Sequence, residues 1–123
     1  MPSAADFFQR HLRGMMNRPL LDGYDRYCVD ASIHFTDLGH WWCFSVANGC
    51  VCEIRGPLDA PEDAAVRFVL DEPVFLEIAA CRLSPQKAFF TRRTDIQGNL
   101  FEGLKLAKLL SLFFQRHPYG GEE

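Results

Sequence analysis

The sequence lacks the long apolar run, the basic cluster and the catalytic motifs that would assign it to several common function classes. No apolar stretch approaches the roughly 20 residues that a helix needs to cross a bilayer. The net charge is -3, and Arg92-Arg93 is the only adjacent Lys/Arg pair, so no basic face for nucleic acid is evident. A Ser-His-Asp spacing, a His-x-x-x-His pattern and a glycine-rich phosphate loop are all missing. We therefore expect no nucleic-acid partner, no cofactor and no enzymatic activity.

Cysteine is present, but its pattern indicates neither a metal site nor a disulfide framework. The count of five is odd, and Cys50-Val51-Cys52 lacks the two-residue gap of a zinc knuckle. We recognise no secretory leader. The prediction is a cytoplasmic protein that binds no metal and packs its cysteines as small buried hydrophobic residues.

Phenylalanine is the residue in excess. The chain has 11 Phe, against 2 Trp and 3 Tyr, in 123 residues. That length fits one domain, residues 1–123, in which we expect 118–123 to form a flexible tail. So much aromatic surface favours either a Phe-rich core or a Phe-lined ligand cavity, and composition alone leaves both open.

Hydrophobic periodicity predicts helices at both ends of the chain and strands between them. Ser3 and Asp6 resemble a capping box at the start of the first helix. The predicted helices are 3–18, 71–81 and 100–116, with a short helical turn at 84–87. The predicted strands are 31–36, 41–47, 50–55, 64–70 and 89–97. The last helix is apolar around most of its circumference, so it must be nearly enclosed or must contact another apolar surface.

Asn48-Gly49 is a strong hairpin signal between the second and third predicted strands. A simple two-residue turn places Val46 opposite Val51 and Phe44 opposite Glu53. A bulge at the turn would shift the returning strand by one residue and exchange its faces. Both registers stay open at this point.

Three segments resemble the sterol carrier protein 2 family, over roughly residues 28–113. They are WCFSVANG at 42–49, the strand, acidic turn and helix at 64–75, and PQKAFF at 85–90 followed by Ile96, Gly98-Asn99 and Leu104-Lys105-Leu106. The resemblance implies an α+β fold with a five-stranded, mostly antiparallel sheet and helices on one face. It also implies an apolar tunnel that holds a lipid and is partly closed by the C-terminal helix. The implied function is lipid binding or transport.

The chain departs from the family pattern at two places. Arg92-Arg93-Thr94-Asp95 stands where the family usually has Gly-Lys-Leu-Lys, and Cys81 occupies a common glycine position. The Arg-Arg variant resembles a bacterial branch, the lipid-carrier accessory factor of oxygen-independent ubiquinone synthesis. That branch implies isoprenoid quinone intermediates and phospholipids as the leading ligands, with fatty acyl chains and sterols as alternatives.

The candidate ligand-binding residues are large apolar side chains of the predicted sheet and helices, together with one arginine. They are Trp42, Phe44, Val46, Phe68, Leu70, Phe75, Ile78, Phe90, Arg92, Ile96, Leu104 and Phe113. Strand parity places Arg92 on the same face as Ile96. The family resemblance implies that Ile96 faces the helices, and in that case Arg92 points at the pocket. There it would pair with Glu53 or bind an anionic head group; otherwise it extends to solvent.

A second hypothesis is a non-catalytic interaction or scaffold protein that docks through its apolar C-terminal helix. A lid helix and a docking helix need the same composition, so the sequence does not separate the two. The expected partners are a hydrophobic small molecule or lipid, a membrane in transient contact, and a biosynthetic enzyme.

Overall fold

Five strands form one mixed sheet in the order β3-β2-β1-β4-β5 in this computed structural model, which describes residues 2–60 and 62–120. The strands are β1 (Val29–Phe35), β2 (His40–Ala47), β3 (Cys50–Leu58), β4 (Val66–Leu70) and β5 (Asp95–Gly98). The central β1–β4 pair is parallel and the other pairs are antiparallel. The predicted five-stranded, mostly antiparallel sheet is confirmed.

Four α-helices accompany the sheet in the part of the chain that the structure describes. They are α1 (Ala4–Asp6), α2 (Glu72–Ala79), α3 (Pro85–Phe90) and α4 (Leu100–Arg116). The backbone after α1 continues as a π-helix over Phe7–Leu12 and a 3₁₀ turn over Arg13–Met15, where we predicted one regular helix. Ser3 caps this segment, because its hydroxyl accepts the Asp6 N–H at 3.0 Å.

The hairpin between β2 and β3 has the predicted turn and two register shifts, one between Ser45 and Val46 near the turn and one between Trp41 and Cys43. Asn48 and Gly49 both have positive φ, as a type I′ turn requires. Val46 pairs with Val51 as expected, but Phe44 pairs with Ile54, so the predicted pairing of Phe44 with Glu53 is wrong. One extra residue in β3 shifts the register beyond that point, and the shift buries Ile54.

The predicted strand 89–97 is wrong in its first half. Ser84 caps α3 by accepting the Lys87 N–H at 3.0 Å, and the helix continues through Phe90. It ends with Arg92 in the left-handed region at φ 64°, and the Arg93 N–H donates to the Ala88 carbonyl at 2.8 Å. This is the Schellman arrangement of a helix end. Local capping therefore outweighs the alternation of the sequence, and β5 keeps only 95–98.

Tyr119, within the segment 118–123 that we expect to form a flexible tail, contacts the rest of the fold. Tyr119 is buried, and its backbone N–H donates to the Ala79 carbonyl at 2.8 Å. Its hydroxyl donates to Asp6, so the residues after α4 are joined to the N-terminal helix. The rest of the predicted tail, 121–123, lies outside the described residues.

The cysteines differ from the expectation that they fill the core. Cys43 is buried, but Cys28, Cys52 and Cys81 are exposed and Cys50 is half-buried. All five carry free thiols. Cys81 follows α2 with φ 65°, at the position where a helix usually ends in glycine.

Candidate functional site

The candidate site is the apolar layer between the sheet and the helices. Alternate residues of the strands point into this layer, among them Ile33, Phe44 and Phe68, because successive strand side chains face opposite sides of a sheet. The N-terminal helix, α2 and α4 cover that face. Within this layer lie two small cavities.

The first cavity, called cavity A here, has a volume of about 40 Å³. It lies between β4, β5, α2 and α4. Its lining is apolar except for one threonine: Ile33, Phe68, Leu70, Phe75, Ile78, Pro85, Thr94, Ile96, Ala107, Leu110 and Phe114. No titratable side chain is among them.

The second cavity, called cavity B, has a volume of about 20 Å³. It lies between β2, the N-terminal helix and the other side of α4. The lining is Phe7, Phe8, Leu12, Leu20, Ile33, Phe44, Val46, Val51, Phe75, Leu106, Leu109, Leu110, Phe113 and Phe114. All of these side chains are apolar.

Four side chains line both cavities and so form the partition between them: Ile33, Phe75, Leu110 and Phe114. Cavities A and B therefore adjoin each other at these four residues.

Cavities A and B are each far smaller than the lipid-holding apolar tunnel that the family resemblance implies. One water occupies roughly 30 Å³ of liquid, so cavity A has room for about one water molecule. Pockets for small molecules measure roughly 300–1,000 Å³. A lipid chain therefore needs the layer to expand.

The start of α4 lies very close to β5. A Cβ atom on Gly103 would be 2.4 Å from Cγ2 of Ile96, so only glycine permits this approach. The other end of α4 is attached through Tyr119 to the N-terminal helix. There, hydrogen bonds from Arg10 and then Tyr119 lower the pKa of Asp6 to about 2. Each end of α4 therefore has its own contact with the rest of the fold.

Most of the predicted site residues line these cavities. Phe68, Leu70, Phe75, Ile78 and Ile96 line cavity A. Phe44, Val46, Phe75 and Phe113 line cavity B. The structure thus brings these residues into one layer, and their contact with a ligand stays a prediction.

The other four predicted residues lie outside the cavity walls. Trp42 is buried but stacks on Phe8, with ring centroids 4.9 Å apart. Leu104 is half-buried on α4. Phe90 is 72% exposed and Arg92 is exposed, because the predicted strand that would have turned them inward is a helix and a turn. Glu53 pairs with Arg55 at 2.7 Å, so the alternative pairing of Glu53 with Arg92 is wrong.

Several lining residues were missed. Leu106, Leu110 and Phe114 lie on α4, whose apolar circumference is visible in the sequence but does not indicate which side faces the sheet. Phe7 was missed because the π-helix brings it to the same side as Phe8, and regular helical periodicity does not predict that. Ile33 is detectable as an inward position of an alternating strand.

Other kinds of site have little support in the described part of the chain. Residues 2–60 and 62–120 contain no group of three or more His, Cys, Asp or Glu side chains placed to hold a metal ion. Within the same ranges, no helix combines the length and apolar character needed to cross a bilayer.

Comparison with protein families gives a match over most of the chain. Residues 27–111 match the model of the SCP-2 sterol transfer family. A curated relative is the peroxisomal multifunctional enzyme type 2 of Mus musculus, 32% identical over 69 residues, which is 56% of this chain. The aligned region spans only 9% of that enzyme's length.

Solved structures agree on the fold. A crystal structure of sterol carrier protein 2 matches with a TM-score of 0.65 at 11% identity, covering 89% of this chain and 91% of that one. The ubiquinone synthesis protein UbiJ-SCP2 matches with a TM-score of 0.60 at 11% identity, covering 89% of this chain and 93% of that one. At such low identity these matches show the fold alone.

Proposed function

The chain belongs to the SCP-2 sterol transfer family, and from that premise we propose that it binds one lipid or similar amphiphile between its sheet and its helices, without catalysis. The observation that supports this most is that cavities A and B lie in one apolar layer and share four lining residues. Ligand entry then requires the helices to move outward while the sheet and its hydrogen bonds stay intact.

The physics of such a layer favours affinity without narrow specificity. Burial of apolar surface contributes roughly 25 cal/mol per Å² removed from water. The residues that line cavities A and B supply almost no polar groups. The apolar tail of a lipid would therefore be bound through burial of its apolar surface and through van der Waals contacts. Part of that free energy is offset by the loss of contacts between α4 and the sheet when the layer expands.

We further propose isoprenoid quinone intermediates or phospholipids as the ligands, with fatty acyl chains and sterols as alternatives, and a role as an accessory factor in ubiquinone biosynthesis in the cytoplasm. The support is the Arg92-Arg93 variant of the family segment and the likeness to a ubiquinone synthesis protein. In that role the protein presents its ligand to a biosynthetic enzyme or carries it between membranes.

A cavity-filling substitution tests the proposed function. Ala107 is buried on α4 and lines cavity A, so Ala107→Leu places additional methylene groups in the cavity. Gln115→Leu introduces the same side chain on the exposed face of the same helix and is the matched control. The assay is titration of each purified protein with a fluorescent fatty acid, followed by displacement with unlabelled lipids.

We expect wild type and Gln115→Leu to bind the probe with 1:1 stoichiometry and Ala107→Leu to bind it at least tenfold more weakly. Thermal unfolding of Ala107→Leu should show that it is still folded at the assay temperature, although overpacking costs about 1–3 kcal/mol. Equal affinity of all three proteins would place the probe outside the layer and contradict the proposal. Absence of binding by wild type would do so as well.

The docking alternative is favoured by one observation on α4. Phe101 is 71% exposed on its outer face, and the Lys105 ammonium lies 5.7 Å from its ring centroid. An exposed aromatic ring beside a cation fits a protein partner or a membrane surface. Phe101→Ser should abolish cosedimentation with anionic vesicles or with a partner and leave probe affinity unchanged, if docking is a separate function. Loss of probe affinity in this variant would contradict that separation.

A further inference from the structure

The edge of cavity A has polar features that an apolar tail does not need. Thr94 lines cavity A and also lines an open groove of about 390 Å³ on the surface. The other residues of the groove are Phe89, Arg92 and Asp95. Thr94 therefore stands where the apolar layer meets solvent.

The hydroxyl of Thr94 lacks a partner. The residue is 7% exposed, and its Oγ1 atom is buried with no hydrogen bond to any of the described residues. A buried polar atom without a hydrogen-bond partner destabilises the fold, and a ligand that forms a hydrogen bond with it removes that cost. A buried water typically makes about three hydrogen bonds, and cavity A offers no other polar side chain to hold one.

The groove beside Thr94 has balanced charge. Arg92 is fixed at the end of α3 by its N–H bond to the Phe89 carbonyl at 3.1 Å, and it forms no ion pair within the described residues. Asp95 begins β5 on the same groove. The neighbouring cation, Arg93, lies 3.4 Å from Glu77 and so has its own partner.

We propose that this groove binds the hydroxyl head of an amphiphile whose tail occupies cavity A, an inference that rests on the proposed function. A hydroxyl oxygen accepts hydrogen bonds from Thr94 and Arg92, and its proton is donated to Asp95. A carboxylate head would be attracted by Arg92 but repelled by Asp95, and a quaternary ammonium head would be attracted by Asp95 but repelled by Arg92. A neutral head that both donates and accepts hydrogen bonds meets no repulsion from either side chain.

The test compares three amphiphiles that have a similar 16-carbon chain and differ in the head group. Hexadecanol, hexadecanoate and hexadecyl methyl ether are delivered from cyclodextrin, and each displaces the fluorescent probe from wild type, Thr94→Val and Asp95→Asn. Thr91→Val is the matched control, because the Thr91 hydroxyl bonds to the Lys87 carbonyl at 2.7 Å, inside α3 and away from the groove lining. A single hydrogen bond changes affinity by roughly 3–10-fold.

Wild type and Thr91→Val should bind hexadecanol roughly 3–10-fold more tightly than the methyl ether. Thr94→Val should lose that preference without losing affinity for the methyl ether. Asp95→Asn should bind hexadecanoate more tightly than wild type does. An alcohol preference that survives in Thr94→Val, or a wild type that prefers the carboxylate, would overturn the head-group site and leave the proposed function standing. A wild type that binds none of the three compounds and no probe would overturn both.

Discussion

Removal of the Phe114 ring should open the partition between cavities A and B. Phe114 lines both cavities and its neighbour Phe113 lines only cavity B, although each is 2% exposed. Phe114→Ala and Phe113→Ala are therefore a matched pair in the same helix. They remove the same atoms from the same depth and differ in whether the resulting void connects the cavities.

The magnitudes follow from the packing. Truncation of a buried Phe costs about 3–5 kcal/mol of unfolding free energy, against a total of roughly 5–15 kcal/mol for a small domain. Both variants should remain folded at room temperature. The void left by the ring, roughly 100 Å³, corresponds to about 2.4 kcal/mol of cavity energy at about 24 cal/mol per Å³. A ligand that fills this void recovers that energy, which corresponds to roughly 50-fold in affinity.

The assay is a chain-length series of fatty acids that displaces the fluorescent probe. In Phe114→Ala, hexadecanoate should gain roughly 10–50-fold in affinity over wild type while decanoate gains much less, because only the longer chain reaches through the joined cavities. Phe113→Ala should show no such dependence on length. Identical profiles for the two variants would refute the partition. If Phe114→Ala fails to fold, Phe114→Leu removes less volume and tests the same length dependence.

Three further predictions concern stability. Gly103→Ala should destabilise the fold by about 1–3 kcal/mol, because the new Cβ would lie 2.4 Å from Cγ2 of Ile96 and this overpacking exceeds the gain in helix propensity. Urea unfolding measures the loss of stability. If the same loss persists in an Ile96→Ala background, the contact with Ile96 is not its cause. Cys81→Gly should raise the unfolding free energy by about 1 kcal/mol, because it relieves a φ of 65°, and a lower melting temperature would argue against strain there. Asp6→Asn should remove a pH-dependent part of the stability. The hydrogen bond from Arg10 holds the pKa of Asp6 in the folded protein at about 2, whereas its pKa in the unfolded chain is about 3.9. The ionised carboxylate therefore stabilises the fold fully above about pH 4, and this stabilisation disappears as the pH falls towards 2. Acid titration of both proteins should show a stability difference that closes in that window, and a difference independent of pH would exclude this origin.

The sequence predicts the sheet well because its signals are local. Alternating apolar residues and Asn48-Gly49 define β1 to β3, and the acidic turn at 71–72 defines the start of α2. The bulge that moves Ile54 opposite Phe44 has no comparable signal. It depends on which β3 side chains the helices can bury, and that is a property of the assembled fold.

The error at 89–97 has an identifiable cause. A helix end is usually recognised by glycine at the left-handed position, and here that position is Arg92. Without the glycine, Phe89 to Ile96 shows only the alternation of a strand. Because α3 and the turn after it replace the predicted strand, Phe90 and Arg92 are not among the residues that line cavities A and B.

The volume of the two cavities cannot be predicted from the sequence. Periodicity indicates which residues face the layer, and Phe68 and Phe75, which it predicts to be inward, line cavity A. The distance between two packed surfaces depends on close contacts between residues of different elements, such as that of Gly103 on α4 with Ile96 on β5. Composition therefore predicted an apolar layer but not how little space it contains.

The central claim is that this layer opens to hold one guest molecule. Native mass spectrometry of freshly purified protein, with solvent extraction of the same sample, tests it most directly. We predict a species above the 14.0 kDa chain mass by the mass of one amphiphile, and the same compound in the extract. A spectrum with the bare chain alone, an empty extract and no adduct after incubation with lipid vesicles would contradict the account.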